Sequence, residues 1–427
     1  MKNMIQSVKG TREFYPPQME FRRWLYSKIE EVSTLFGYQE FDGPFLEKIE
    51  LYAAKSGEEL VKEQAFVFPD RGGDLITLRP ELTPSLARMI AKNQNELAFP
   101  LRWWSFGPFW RYERPQKGRS REFFQWNIDL IGVDSPEADA ELLAICATFF
   151  QNVGLTPKEV KISINNRILI DQEIRELGID FEMKKEVFHL IDRREKMKPE
   201  EWNSSGLASG LSQPQLDGIL KLLSNFELWK KSPELNKIFN ILEKYGVSEY
   251  ISYDPRIVRG LDYYTGVVFE AWDACGDGRA ILGGGHYDNL VGDVGGDPLP
   301  GVGFAMGDVM ISVLLEKYRK LSISKQFRDI VLVTVFGEEL NSVSTEFAVE
   351  LRKSGTKAIL YPEVVKLTKQ LKFANRIGIT IAIVIGPDEK ANGNITIKDL
   401  RDGTQQIVSR TDGITVINRL LASATLV

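Results

Sequence analysis

Residues 109–131 read FWRYERPQKGRSREFFQWNIDLI. Along the second half Phe124, Trp126, Ile128 and Leu130 alternate with Gln125, Asn127 and Asp129, the two-residue period of a strand with one apolar and one polar face. In the first half Arg111 and Glu113 share a face in the same way, and between the halves lie Arg114, Lys117, Arg119 and Arg121. The spacing predicts a hairpin with a basic loop. A sheet face lined by Arg, Glu, Gln and Asp can simply be wet. Its aromatic content is high for that, and arginine suits bidentate capture of phosphate or carboxylate. A pocket for an anionic ligand is expected.

Upstream, TLRPELTP (77–84) alternates Thr77, Arg79, Glu81 and Thr83, so Glu81 and Thr83 would offer an ammonium a carboxylate and a hydroxyl. A strand end with a Pro84 turn gives the same letters. LITLRPELTP and LRWWSFGPFWRYE, rich in β-branched and aromatic residues, are expected as strands of one sheet. Downstream, RGLDYYTGVVFE (259–270) gathers an arginine, an acid and two tyrosines before an apolar strand, a pattern that more often packs than recognises. The run GGGHYDNLVGDVGGDPLPGVGFAMG (283–307) lacks both the lysine-hydroxyl pair of a P-loop and the GxGxxG spacing. Its glycines are expected to allow close approach of a ligand or a strand. His286 has no histidine or cysteine at ligand spacing and is expected to bond locally.

Composition narrows the chemistry. The 427 residues are 43% apolar and 26% charged, an ordinary globular balance for more than one domain. Two cysteines, Cys146 and Cys275, are too few for a disulfide framework or a thiolate zinc cluster and point to a reducing compartment. With His189 and His286 as the only histidines, a multi-histidine metal centre has no material, so carboxylates and arginines must carry the chemistry. The N-terminus lacks the apolar core of a secretory signal and no run approaches the ~18 apolar residues of a membrane span, so a cytoplasmic protein is expected. A net charge of -5 gives no global attraction to nucleic acid.

Helical periodicity is expected over 21–36, ending at Gly37, and over 136–152; an extended segment runs through Pro44. The charged, Leu-rich stretch 170–245 reads as an inserted helical subdomain. Strand character returns at VVFEAW and in the glycine run, followed by a helix from about Asp308. From 326 to 427 an apolar run at 330–335, a helix at 338–354, a strand at 357–361, another helix and the strand TIAIVIG read as a small α/β domain. There the Asn392-Gly393 turn is expected to join two short strands before a helix at about 412–423. Residues 352–376 carry seven basic side chains against Glu363 alone, which suits either a solvated helix face or a nucleic-acid contact.

In order, KGTREFYP (9–16), TLRPELTP, FWRYERPQKGRSREFFQ, RGLDYYTG, GGGHYDNLV and GVGFAMG resemble the motifs of histidyl-tRNA synthetases, over most of the chain. RGLDYYTG is the most specific to that family, and the C-terminal segment looks like its anticodon-binding domain. The resemblance implies an α+β fold: a catalytic domain at 1–325 on a mostly antiparallel class II synthetase sheet, with a helical insertion at about 170–245, and an α/β anticodon-binding domain at 326–427. It implies a ligase that joins L-histidine to ATP as histidyl-adenylate and transfers it to the 3′ end of tRNA(His). ATP would be a substrate, with Mg²⁺ on its phosphates and no metal held by protein side chains alone. A homodimer, with Gly43-Pro44 at its interface, is also implied.

Carried over by motif, Glu81 and Thr83 would hold the ammonium of histidine, and Arg111 with Gln125 its carboxylate. Asp129 and Tyr264 would meet the imidazole with Tyr263 beside them. Arg111 and Arg259 would grip the α-phosphate against bound histidine, Phe123 would stack on adenine, Glu113 would read its amino edge and Arg119 would touch the distal phosphates. Lys353, Lys357, Lys366, Lys369, Lys372 and Arg376 are candidates for tRNA backbone contacts. Two positions depart from the pattern. Asp308, Val309 and Met310 follow Gly307 where many members have Glu-Arg, so ATP binding is expected to lean on Arg119, Arg121, Mg²⁺ and Arg279; His286 stands where arginine is usual. The alternative is a non-catalytic synthetase-like paralogue, a histidine-sensing regulatory subunit, but such paralogues normally lack the anticodon domain and the RGLDYY signature. An RNA-binding module without chemistry would need none of Glu81, Arg111, Gln125 and Arg259.

Overall fold

The computed structural model describes residues 4–53, 60–114, 116, 118–259, 263–276, 279–321 and 329–425. Lys117, residues 260–262 of RGLDYYTG and the expected domain boundary at 325–326 lie outside them. The chain divides into two compact units, Met1–Leu321 and Ser322–Val427.

The first unit opens with α1 (Pro16–Leu35), whose prolines stand in the first turn, where a missing N–H costs nothing. It stops before Gly37, which adopts a φ of +78°. After β1 (Gln39–Glu40) comes a small antiparallel sheet of β2 (Leu46–Lys48), β3 (Phe66–Pro69) and β4 (Leu75–Leu78), with α2 (Glu50–Ala53) between β2 and β3. The LITLRPELTP segment therefore does not join the sheet of LRWWSFGPFW, contrary to expectation. Its strand ends at Leu78 because Pro80 has no ladder donor and Pro84 suits the first turn of α3 (Thr83–Asn93). Arg79 pins this turn: its fully buried guanidinium donates to Pro108 O and Gly43 O, both at 3.0 Å, and pairs with Asp42.

The main sheet contains the predicted hairpin, β5 (Leu101–Trp110) and β6 (Glu122–Ile131), antiparallel with Gly107 opposite Gln125 and Trp103 opposite Asp129. Next is α4 (Pro136–Asn152), on the predicted bounds, started by Ser135, whose Oγ accepts the Ala138 N–H at 3.2 Å. β7 (Val160–Asn166) leads into the helices α5 (Arg167–Glu176), α6 (Lys184–Asp192), α7 (Pro199–Ala208), α8 (Gln213–Leu223) and α9 (Pro233–Lys244). β8 (Ile251–Tyr253), β9 (Val267–Asp273), β10 (Leu282–Tyr287), β11 (Gly301–Gly307) and α10 (Asp308–Lys317) complete the unit. The sheet order is β1-β5-β6-β11-β10-β9-β7-β8. Only its outermost pairs, β1 with β5 and β7 with β8, are parallel.

Trp126, Ile128 and Leu130 of β6 share one core with α1, α4 and the α5–α9 helices, represented by Ile170, Phe188, Trp202, Leu216 and Leu235. Each such side chain contributes roughly 1.5–3 kcal/mol by leaving water. That burial fixes which face of β6 turns inward, and the polar set must emerge on the other.

The second unit is a five-stranded sheet in the order β13-β12-β14-β15-β16. Its elements are β12 (Ile330–Val333), α11 (Asn341–Lys353), β13 (Lys357–Leu360), α12 (Leu367–Ile377), β14 (Ile381–Val384), α13 (Pro387–Asn392), β15 (Asn394–Asp399), β16 (Gln405–Ser409) and α14 (Arg410–Thr425). Val331, Val333, Ile381 and Ile383 pack on Phe347 and Ile417 on one face, while Leu332 and Ala382 meet Ala374 on the other. Asn392-Gly393 does not join two strands: Gly393, at φ +65°, ends α13 in the left-handed conformation, and the β15–β16 turn contains Gly403 instead. Among the described residues no helix is long and apolar enough to cross a membrane.

Candidate active site

Cross-strand register gathers the site on the main-sheet face opposite α4. One row runs Asp129, Gly303, Gly285; the next runs Asn127, Ala305, Gly283, Glu270. The glycines form a floor of bare backbone. A Cβ on Gly283 would collide with Arg259 Nη1, and one on Gly303 with Asp129 Oδ1. On Gly285 it would lie 2.8 Å from Tyr264 Cδ1, and on Gly301 2.7 Å from Tyr287 Cε2. Arg259, Tyr264, Asp129 and Tyr287 can lie flat on this floor because those residues are glycines.

At one end of the floor the buried Asp129 carboxylate accepts a 2.9 Å hydrogen bond from Tyr287 OH. Burial pushes its pKa up to about 7, against the pull of that bond. The Tyr263 and Tyr264 rings lie 4.7 Å apart, with Tyr287 6.3 Å from Tyr263, edge to face. Burial raises both Tyr263 and Tyr264, and each also feels the negative charge of Glu81. Arg259 has a φ of +54°, costly for a residue with a Cβ. Its Nη1 donates to Glu270 Oε1 at 2.6 Å and its guanidinium carbon stands 5.9 Å from the Tyr264 ring centroid. Burial opposes its charge but is outweighed by Glu270 and Tyr264, and its buried Nε has no partner among the described residues.

From the other side, the turn after β4 delivers Glu81, 7% exposed, and Thr83 stands half-buried at the start of α3. Arg111 Nε donates to Pro80 O at 3.0 Å, next to Glu81, and its guanidinium lies 5.5 Å from the ring of Phe123, which stacks on Phe109. Arg111 thus stands beside the Pro80–Glu81 turn, while Arg259, 148 positions away in sequence, lies by Tyr264, and Glu81 acts on the charge of both Tyr263 and Tyr264. Gln125 emerges beside Gly307 on the same strand face. Glu113 and Arg119 pair with each other instead of facing a ligand separately. Arg279 sits close enough to sense both: burial lowers its pKa, Arg119 lowers it further and Glu113 opposes.

The two departures have structural explanations. Asp308, buried, accepts from Arg12 Nη2 at 2.8 Å and from the Phe124 N–H at 2.9 Å, tying KGTREFYP to β6. Burial raises its pKa while Arg12 and the Phe124 N–H pull it down. Met310 fills space against the hairpin loop, where a Cβ on Gly118 would come within 2.6 Å of its Sδ. His286 falls on the helix-covered face, its Nδ1 3.1 Å from Asp139 of α4 and its Nε2 3.4 Å from Asp288 and 3.6 Å from Asp134. Burial alone would lower its pKa, but these carboxylates raise it.

Sequence reading missed Tyr287 and Glu270. The signal for Tyr287 was present, since Gly283, Gly285 and Tyr287 share the two-residue period of one strand face. In the second unit, Lys366, which caps the N-terminus of α12, and Lys369, Lys372 and Arg376 along the helix are exposed at three- and four-residue spacing, with Gln370 and Ala374 buried. Lys353 ends α11, and Lys357 pairs with Asp329 at 2.5 Å.

A family model described as Histidyl-tRNA synthetase matches residues 10–308, and one described as Anticodon binding domain matches residues 329–420. A Histidine--tRNA ligase of Thermoplasma volcanium is 38% identical over 425 residues, 96% of this chain and 97% of that protein. A chloroplastic/mitochondrial Histidine--tRNA ligase of Arabidopsis thaliana is 36% identical over 419 residues, covering 96% of this chain and 86% of that one. The crystal structure of histidyl-tRNA synthetase from a Nostoc species aligns with a TM-score of 0.80 at 26% identity, over 98% of this chain and 100% of that chain.

Proposed function

The chain belongs to the histidyl-tRNA synthetase family and is a histidine–tRNA ligase, and from that premise we propose that the glycine-floored cleft holds L-histidine and ATP side by side. The histidine carboxylate attacks the α-phosphorus, the bond to the bridging oxygen breaks, and pyrophosphate leaves with that electron pair. A carboxylate needs no general base for this step. The 3′-terminal ribose hydroxyl of tRNA(His) then attacks the acyl carbon and AMP departs.

The observation that carries this reading is the Asp129–Tyr287 pair at one end of the floor and the Glu270-held Arg259 over Gly283. Asp129, with Tyr264 and Tyr263, would meet the imidazole. A pocket that hydrogen-bonds both ring nitrogens disfavours analogues without them by about 10⁴-fold, since its own polar groups would stay unpaired. Glu81 and Thr83 would take the ammonium, Gln125 and Arg111 the carboxylate. Arg111 and Arg259 would meet the charge that builds on the α-phosphate. Phe123 offers adenine a ring, and Glu113 is free to read the amino edge once Arg119 turns to the distal phosphates beside Arg121 and Arg279.

Mg²⁺ would be held chiefly by phosphate oxygens of the bound ATP. A homodimer is supported by the exposed Phe45 and Leu46, which follow Gly43-Pro44, and by the exposed Phe68 and Leu75 of the small sheet. A reducing, cytoplasmic setting is supported by the unpaired Cys146 and Cys275. The lysines of α12 would contact the tRNA backbone.

Histidine-dependent ATP–pyrophosphate exchange tests the reading. Wild type should exchange, and Arg259→Ala should lose about 10²- to 10³-fold in rate. A wild type without exchange whose activity Met310→Arg restores would instead mark a degenerate paralogue.

A further inference from the structure

His286 takes no part in the adenylation chemistry, yet it is buried among acids. Strand alternation turns it to the helix-covered side of β10, between Gly285 and Tyr287 on the cleft side. Its Nδ1 lies 3.1 Å from Asp139 Oδ1 near the start of α4, and its Nε2 3.4 Å from Asp288 and 3.6 Å from Asp134. From α9, Glu234 is near enough to sense its charge and accepts from Asn166 Nδ2. Lys237 of α9 pairs with Glu137 instead, at 2.6 Å, and β11 presents the apolar Val302 opposite His286. One imidazole thus stands among four carboxylates. His286 is 5% exposed and Asp139 1%, so solvent screens their contact poorly. A neutral ring donating from Nδ1 would turn the lone pair of its buried Nε2 toward Asp134 and Asp288; a protonated ring offers a donor on both sides.

The backbone of His286 supports the cleft. Its carbonyl accepts the Thr265 N–H at 2.9 Å, and a Cβ on Gly266 would come within 3.3 Å of His286 Cβ. Tyr264, proposed to meet the substrate imidazole, and Tyr287, which donates to Asp129, are each one residue from this joint. Resting on the histidine pocket proposed above, we propose that His286 is a positioning residue for histidine recognition: as an imidazolium clasped by Asp134, Asp139 and Asp288 it holds β10 and segment 264–266 against α4, and on losing its proton it relaxes the pocket. Burial opposes the charge, but the carboxylates raise the pKa above the ordinary 6.5. The clasp is therefore complete below about 6.5 and is lost as pH rises through the higher folded value. An arginine in its place would stay charged throughout.

Two measurements on the full-length enzyme test this. With isotope-labelled histidine rings the chain gives two imidazole NMR signals, since His189 is the other histidine, and His189→Gln assigns them. The His286 ring should be doubly protonated at about pH 7 and titrate above it. Asp288→Asn, at an exposed position, should move that titration to lower pH. In histidine-dependent ATP–pyrophosphate exchange, the KM for histidine of His286→Gln should exceed that of wild type by about fivefold at about pH 6, part of the worth of one charged hydrogen bond. The ratio should fall toward one as wild type loses its own charge at alkaline pH, with kcat within about twofold throughout. Taking the ratio cancels the titrations of Asp129 and of the substrate, which both enzymes share. In Asp288→Asn the pH at which KM rises should shift down together with the ring titration, and this pair of shifts decides alone should His286→Gln fail to fold. A neutral ring at about pH 7, a KM ratio constant with pH, kcat falling at unchanged KM, or a KM break that stays while the titration moves would each overturn the role of His286 alone. A KM for histidine unchanged in Asp129→Asn would overturn the pocket on which it rests.

Discussion

Asp129, proposed to meet the imidazole, is buried at a cost in stability, and the cost has a pH signature. Below about pH 4 the carboxyl is protonated in both the folded and unfolded states. Between there and about 7, its folded pKa, the unfolded carboxyl is ionised while the folded one keeps its proton. The folded state then binds more protons, so this group's contribution lowers stability as pH rises through that window. Asp129→Asn should therefore raise the stability of the ligand-free protein at pH 8 by up to about 4 kcal/mol, with the gain shrinking toward pH 4. Thermal unfolding at pH 8 and pH 5 measures it. The same variant should raise the KM for histidine by about tenfold or more, because a charge-assisted bond is lost. Gly283→Ala tests the floor: its Cβ would displace the end of a flexible side chain, Arg259 Nη1, so the sheet should fold while exchange falls about 10²-fold. The alternation of Gln125, Asn127 and Asp129 was legible in the sequence because a strand projects it directly. The Arg259–Glu270 pair was not, because it depends on strand order and on a residue in a left-handed conformation.

At the level of elements, the helix α12 makes the clearest prediction. Changing Lys366, Lys369 and Lys372 together to Gln should raise the KM for tRNA(His) and flatten its rise with salt, leaving exchange intact, since phosphate contacts release counterions. Equal loss in both half-reactions would indicate damage to the fold. Element boundaries were legible where local chemistry determines them. Gly37 follows the end of α1 and Ser135-Pro136 starts α4, whereas α1 begins at Pro16, five residues before the expected 21. They were obscured where one signal serves two structures. The alternation in TLRPELTP looked like a strand but spans a strand end, a turn and a helix start. Asn392-Gly393 favours a left-handed residue, which a hairpin and a helix C-terminus need equally.

At the scale of the whole molecule, each unit has its own closed core, one spanning Leu25 to Leu315 and the other Val331 to Leu421. A fragment of residues 329–427 should therefore fold cooperatively alone, visible as a sigmoidal denaturant transition by circular dichroism. A fragment of residues 1–321 should retain exchange and lose most tRNA charging. The small sheet's exposed Phe68 and Leu75 predict a dimer by sedimentation equilibrium, with Phe68→Glu shifting the population toward monomer. The bare backbone floor of the cleft also limits how this gene can drift. Glycine is the smallest residue, so every missense codon change at Gly283 or Gly303 adds atoms where the Arg259 or Asp129 side chain already lies. A mutational scan should find these two positions intolerant of all nineteen replacements, whereas buried leucines nearby accept at least methionine.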